Sequence, residues 1–99
     1  GPAYVFYFLE AVEAAALNLG FDAASARKLS VETFLGAARL ADESKESIST
    51  LRERVTSKGG TTEAALLSFG ASGIAAAIEH GILAAQARGR ELGEILGKD

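Results

Sequence analysis

Hydrophobic and polar positions along this 99-residue chain recur at spacings of three and four residues, which is typical of α-helices. No segment shows the alternation bounded by hairpin turns that predicts β-strands. Pro2 suits the first turn of a helix, Gly20 is a stop signal and Asp22 is a capping residue. The predicted helices are 2–19, 23 to about 43, 48–54, about 62–69, and one from 74 onwards. The pattern therefore predicts an all-α bundle of about five helices, three long and two short.

The first predicted helix is almost entirely apolar, and aromatic or aliphatic residues cover every side of its first two turns. A helix that is apolar all round must be buried all round. A helical domain of 99 residues has difficulty surrounding one of its own helices. We therefore expect a partner chain or a second domain to cover it. The predicted dimer-interface residues are Tyr4, Phe6 and Phe8, with Phe34 from the apolar face of the second helix.

Length and composition narrow the function classes. Ninety-nine residues are expected to form one domain, 1–99, with a single core. A net charge of −3 and the absence of a Lys/Arg cluster argue against a nucleic-acid surface. The chain has no cysteine, which excludes a thiolate metal site and fits a cytoplasmic location. His80 has no second ligand at metal spacing, so no metal is expected. No apolar run reaches the ~18 residues of a membrane span, so no membrane partner is expected.

One short run, Ser57–Thr62, combines hydroxyls, two adjacent glycines and the start of a helix. Gly59 and Gly60 permit positive φ and let backbone amides approach a ligand closely. Thr61 is predicted as the N-cap, and Glu63 places an acid in the first turn that follows. Free amides and the positive end of the helix dipole would then form a small anion site, for a carboxylate or a phosphate. An ordinary corner between two helices is the alternative.

Other chemistry finds little support. Lys58 precedes its glycine and follows no strand, so a Walker-type phosphate loop is excluded, and no G-x-G-x-x-G fingerprint is present. His80 lacks a local acid–base partner. Glu10 and Glu13, on the apolar first helix, could take part in a structural ion pair with a basic residue. Most other acidic side chains are expected on helix faces exposed to solvent. The chain alone thus has a ligand site but no redox centre and no evident general base.

Three motifs follow one another along the chain: Gly1-Pro2-Ala3-Tyr4-Val5-Phe6, Thr33-x-x-Gly36-Ala37-Ala38, and Val55-Thr56-Ser57-x-Gly59-Gly60-Thr61-Thr62-x-x-Ala65-Leu66. In this order and at these separations they resemble the C-terminal domain of pyrroline-5-carboxylate reductase. The resemblance covers essentially the whole chain, and the glycine-loop motif is its most specific part. It implies a helical dimerisation domain like the C-terminal domain of 6-phosphogluconate dehydrogenase.

The resemblance also implies an activity. Members of this family reduce 1-pyrroline-5-carboxylate to L-proline in proline biosynthesis. An N-terminal Rossmann domain, absent from this chain, binds NADPH, so the chain alone is expected to be inactive. The helical domain forms the homodimer or a higher oligomer and binds the substrate. The implied substrate-binding residues are Ser57, Gly59, Gly60, Thr61 and Thr62. The Thr62 hydroxyl is the implied catalytic group, hydrogen-bonding the ring nitrogen during hydride transfer.

Two positions depart from the family pattern. Lys58 stands where the family commonly has proline, and its ammonium could assist a carboxylate or a cofactor phosphate; a solvated lysine is the alternative. Gly70 replaces a more usual polar or acidic residue, which affects only the corner between helices. A purely structural oligomerisation module, or the helical domain of another small-acid dehydrogenase, remains an alternative function.

Overall fold

A computed structural model describes residues 1–97 of the chain. These residues form helices without strands, as the periodicity predicts. The helices are α1 (Pro2–Asn18), α2 (Ala23–Glu43), α3 (Ile48–Arg54), α4 (Thr61–Ala71) and α5 (Ile74–Gly97). The chain divides into two compact units, Gly1–Leu51 and Arg52–Asp99, the second described as far as residue 97. The predicted all-α class and the five helices are confirmed.

In the first unit α1 packs against α2. The connection between them is short, because a glycine ends α1 and a capping aspartate begins α2 almost at once. The backbone reverses at Gly20, whose φ of +100° suits a residue without a Cβ. Asp22 then caps α2, its carboxylate accepting a hydrogen bond of 2.8 Å from the Ser25 amide. That hydrogen bond, first among the causes, holds the pKa of Asp22 below its usual value.

In the second unit a short break separates α4 from α5, and the path of the helices bends by 57° at this break. Gly73, at φ +68°, makes the corner, and its amide donates to the Gly70 carbonyl at 3.1 Å. The predicted break at Gly70 comes too early, because α4 continues to Ala71 and holds Gly70 in its last turn. The corner therefore belongs to Gly73, the glycine whose backbone adopts the left-handed region.

Burial within the chain is slight. Among the described residues, the buried side chains are Ala16, Ala26 and Ser30, all in the first unit. The Ser30 hydroxyl donates at 2.7 Å to the carbonyl of Ala26, one turn earlier in α2, so no buried side-chain polar atom among the described residues is left unpaired. Large apolar side chains stay on the surface, including Phe6 at 62% and Tyr7 at 71% exposure. The single core expected from the chain's length is thus not formed by the described residues themselves.

Candidate functional site

The loop between α3 and α4 ends with a tight turn over residues 57–60. The Gly60 amide donates to the Ser57 carbonyl at 3.0 Å, which closes a four-residue β-turn with Lys58 and Gly59 at its centre. Gly59 has a φ of +76°, the value that a type II turn requires at its third position. A side chain at Gly59 would meet no atom within 4 Å, so the need for glycine there is conformational.

Gly60 is required for a different reason. Its φ of −91° is accessible to any residue, but a Cβ at this position would lie 3.2 Å from the Ser57 carbonyl oxygen and 3.3 Å from the Ser57 Cβ. A side chain would therefore press against the residue that opens the turn. The glycine pair combines one left-handed backbone and one close approach.

Gly60 is the N-cap of α4, and no side chain caps the helix. The prediction that Thr61 is the N-cap is wrong, because the extended backbone that defines the cap falls on Gly60 and Thr61 already lies in the helix. The Gly60 amide is occupied by Ser57, whereas those of Thr61, Thr62 and Glu63 donate to no acceptor in residues 1–97. These three amides, rather than that of Gly60, are the donors free to meet an anion.

The hydroxyls around these amides are accessible. Ser57, Thr61 and Thr62 are exposed, and within the described residues their hydroxyls form no hydrogen bond. Thr56 differs from them, because its hydroxyl donates to the Arg52 carbonyl at 2.6 Å and is already paired. Lys58 is exposed and forms no ion pair with any part of the chain that the structure describes. The five predicted substrate-binding residues thus lie within the six-residue run 57–62, which carries both exposed hydroxyls and free amides.

A residue that sequence reasoning did not place in the site is tied directly to it. The Glu63 carboxylate accepts a hydrogen bond of 3.0 Å from the Gly59 amide. Glu63 was predicted only as an acid suited to the helix dipole. The signal for this second role is its position, the third residue of the helix, from which a glutamate can reach back to a loop amide.

The predicted dimer-interface residues lie in the first unit and divide into two classes. Tyr4 and Phe6 are exposed at 42% and 62%. Phe8 and Phe34 are half-buried, and the Phe8 ring lies 6.2 Å from that of Tyr7. Apolar side chains of this size left on a surface are typical of a protein–protein interface.

A shallow groove of about 360 Å³ runs between α1 and α2. Its lining residues are Phe6, Leu9, Glu10, Glu13, Arg27, Ser30 and Val31. Among the described residues Glu10 and Glu13 form no ion pair within 4 Å, so the structural ion pair considered from the sequence is not formed within this chain. The groove combines apolar walls with the carboxylates of Glu10 and Glu13 and the guanidinium of Arg27, none of which forms an ion pair in the described chain.

Within residues 1–97 no group of three or more histidine, cysteine, aspartate or glutamate side chains is arranged to hold a metal ion. No single helix in the same range is long and apolar enough to cross a membrane. Of the described helices, only α4 and α5 taken together, across their bend, reach the length and apolar composition of a membrane span.

Comparison with known proteins gives these features a family. Residues 1–92 match the family model described as pyrroline-5-carboxylate reductase dimerisation. The chain belongs to this dimerisation-domain family. The resemblance carried by the three sequence motifs is therefore confirmed, and the match includes both the apolar α1 and the glycine loop.

Relatives named pyrroline-5-carboxylate reductase extend the likeness. The Pseudomonas aeruginosa protein is 45% identical over 98 residues, which are 99% of this chain and 36% of that protein. A Bacillus subtilis protein of this name is 37% identical over 98 residues, again 99% of this chain and 33% of its own length. The chain thus spans about a third of the length of the curated relatives it matches.

Solved structures agree in fold. The pyrroline-5-carboxylate reductase of Coxiella burnetii matches with a TM-score of 0.88 and 41% identity, over 93% of this chain and 34% of that one. The pyrroline carboxylate reductase of Plasmodium falciparum, solved with NADP bound, matches with a TM-score of 0.82 and 25% identity, over 85% and 33% of the two chains.

Proposed function

We propose that this chain is the dimerisation and substrate-binding part of an NADPH-dependent oxidoreductase that reduces 1-pyrroline-5-carboxylate to L-proline. The family match over residues 1–92 supports the assignment to this class of enzyme. The observation that carries the substrate-binding role is the group of free amides at the start of α4, flanked by exposed hydroxyls. The cytoplasmic location stays a prediction.

The substrate is a small ring with one carboxylate and one imine nitrogen, and the loop offers complementary groups. The amides of Thr61, Thr62 and Glu63 lie at the positive end of the α4 dipole, which favours a carboxylate. Ser57 supplies a further hydroxyl donor beside them. The Thr62 hydroxyl, which the family resemblance implies as the catalytic group, forms no hydrogen bond in the described chain and is free to hydrogen-bond the ring nitrogen.

Reduction of the ring requires a hydride at the carbon of the C=N bond and, on the nitrogen, a proton that comes from the solvent. NADPH, when bound, supplies the hydride. The loop holds the carboxylate and so sets the orientation of the ring. The Thr62 hydroxyl hydrogen-bonds the ring nitrogen and stabilises it as its charge changes during hydride transfer. Losing one such preorganised donor costs about 3 kcal/mol in typical enzymes. Orientation and one hydrogen bond are therefore this chain's contribution to catalysis.

The cofactor must be held mainly by residues outside this chain. A dinucleotide site needs a glycine-rich turn between a strand and a helix, and residues 1–97 contain no strand. Lys58 is the one loop residue suited to a phosphate, since its ammonium is exposed and has no ion-pair partner in the described chain. We assign it at most an auxiliary contact with the cofactor.

The apolar surface of the first unit supports the homodimer. Phe6 and Tyr7 leave more than half of each side chain exposed, and buried apolar side chains of this size contribute about 1.5–3 kcal/mol each. Covering them by a second copy of the chain would supply the burial that the described residues lack. Together with the family description, this favours a self-associating domain over an isolated monomer.

The assigned role of Thr62 is tested in a protein of the relatives' full length that contains this chain. Thr62→Ala is expected to lower kcat/KM for pyrroline-5-carboxylate at least tenfold, and Thr62→Ser to recover most of the loss. Ser68→Ala is the matched control, because Ser68 is also exposed on α4 but lies six residues further along. Unchanged kinetics in Thr62→Ala would remove Thr62 from the mechanism.

The competing function, a structural oligomerisation module, is separated by a binding experiment. Proline added to the full-length protein should perturb the amide resonances of Thr61, Thr62 and Glu63 in a saturable manner. A module whose loop is only a corner between helices would self-associate equally well but show no such saturation.

A further inference from the structure

Among the described residues, Glu63 is the only one whose side chain is hydrogen-bonded to the glycine turn. It is the third residue of α4, it is half-buried, and its carboxylate accepts a 3.0 Å hydrogen bond from the Gly59 amide. We infer that Glu63 is a positioning residue for substrate binding, acting through the Gly59 turn and not by touching the substrate. The inference rests on the proposed function of the loop.

The reach of this carboxylate follows from how the other amides are used. A glutamate at the third helical position commonly accepts from the amide of the N-cap residue. Here the N-cap is Gly60, and its amide already donates to the Ser57 carbonyl at 3.0 Å. The carboxylate therefore takes the preceding amide, that of Gly59. Two successive loop amides are held in this way, one by the start of the turn and one by the helix.

The hydrogen bond from the Gly59 amide to the Glu63 carboxylate restrains a backbone that glycine alone leaves free. Gly59 has no side chain that limits its backbone, and glycine visits negative and positive φ with similar ease. The Gly60–Ser57 bond closes the turn but does not tie it to α4. The bond from Gly59 to Glu63 makes that connection, because Glu63 belongs to the first turn of α4. It thus ties the position of the turn to the first turn of the helix, where the free amides lie.

This arrangement also limits the donors offered to an anion. With Gly59 and Gly60 amides occupied, those of Thr61, Thr62 and Glu63 remain. Loss of the Glu63 carboxylate would release the Gly59 amide and loosen the turn, so the substrate would have to order it on binding. The cost falls on affinity, and the reaction of bound substrate is affected little.

The experiment compares three variants in the full-length protein: Glu63→Ala, Glu63→Gln and the control Glu79→Ala. Glu79 is an exposed glutamate of α5 that forms no hydrogen bond or ion pair in the described chain. Glu63→Ala is expected to raise KM for pyrroline-5-carboxylate and the Kd of proline at least fivefold, with kcat within twofold of wild type. Glu63→Gln keeps an acceptor oxygen for the Gly59 amide and should stay within threefold in both constants.

Two results would overturn the inference. One is a Glu63→Ala protein with wild-type KM and Kd; the other is a Glu63→Gln protein as impaired as Glu63→Ala, which would show that the hydrogen bond is not what matters. Thr62→Ala measured in parallel separates the two proposals. If Thr62→Ala is impaired while Glu63→Ala is normal, only the role of Glu63 fails. If both are normal, the roles of the Thr62 hydroxyl and of the Glu63 carboxylate fail together.

Discussion

Replacing Gly59 by alanine tests the geometry of the loop most directly. Gly59 has a φ of +76°, and an alanine there would meet no atom within 4 Å in the described chain. The cost of the substitution is therefore conformational: the left-handed region is about 1–2 kcal/mol less favourable for an alanine than the right-handed one. That energy lowers the population of the native turn roughly 5- to 30-fold relative to a loop conformation in which residue 59 has a negative φ.

The expected result is a separation of affinity from turnover. In the full-length protein, Gly59→Ala should raise KM for pyrroline-5-carboxylate about 5- to 30-fold, since binding must first restore the turn. The value of kcat at saturating substrate should change little. Asparagine tolerates the left-handed region better than alanine, so Gly59→Asn should lie between alanine and wild type. Steady-state kinetics and proline titrations at fixed protein concentration measure all three.

Gly70→Ala is the matched control. Gly70 lies in the last turn of α4, has no positive φ, and a Cβ there would also meet nothing within 4 Å. Alanine should therefore leave KM unchanged and stabilise the helix by about 0.5–1 kcal/mol. If Gly59→Ala behaved like Gly70→Ala, or if Gly59→Asn were as harmful as Gly59→Ala, the positive φ would not be what the loop requires.

Three further predictions concern the turn, the oligomer and the cap. Lys58 occupies the second turn position, which favours proline, so Lys58→Pro should raise the urea midpoint by the equivalent of about 0.4–1 kcal/mol; a lower midpoint would contradict a type II turn. If the Lys58→Pro protein binds substrate and NADPH as tightly as wild type at every salt concentration, Lys58 has no electrostatic role. The chain should sediment at micromolar concentration as a dimer or larger, and Phe6→Ser should weaken this association; a compact wild-type monomer would refute the proposed interface. Because the folded pKa of Asp22 is lowered, its contribution to stability is complete above about pH 4 and is lost as pH falls through the folded pKa. Wild type should therefore lose more stability in acid than Asp22→Asn, and equal losses in urea titrations at pH 7 and pH 3 would contradict the capping bond.

The helices and most of their ends could be predicted from the sequence because they depend on neighbours within one or two turns. The bounds of α2 and α3 match the predicted 23–43 and 48–54, and the Ser47 hydroxyl accepts from the Thr50 amide at 3.1 Å. Capping side chains, glycine stops and apolar spacing all act at this short range. The composition of α1 likewise indicated a helix that the chain could not cover by itself.

The residues of the loop could be named from the sequence, but their individual roles could not. Thr61 and Gly60 are both acceptable N-caps, and only the extended backbone at Gly60 decides between them. The use of the Gly60 amide by Ser57, and of the Gly59 amide by Glu63, depends on how the turn folds back on the helix. Hydrogen bonds assign each amide to one partner, and residue types alone do not specify that assignment.

Burial shows the same division between local and tertiary information. The spacing of apolar residues predicted which side chains would be buried in a core. Of the apolar residues described, however, only Ala16 and Ala26 are buried. Which side chains of the first unit remain exposed depends on how α1 packs against α2, because among the described residues this unit buries only Ala16, Ala26 and Ser30 and leaves its large apolar side chains outside. The sequence by itself determined the helices, the family motifs and the apolar surface of α1. The tertiary structure decided which amides are free and which aromatic side chains are left exposed, since both depend on contacts between residues that local patterns do not join.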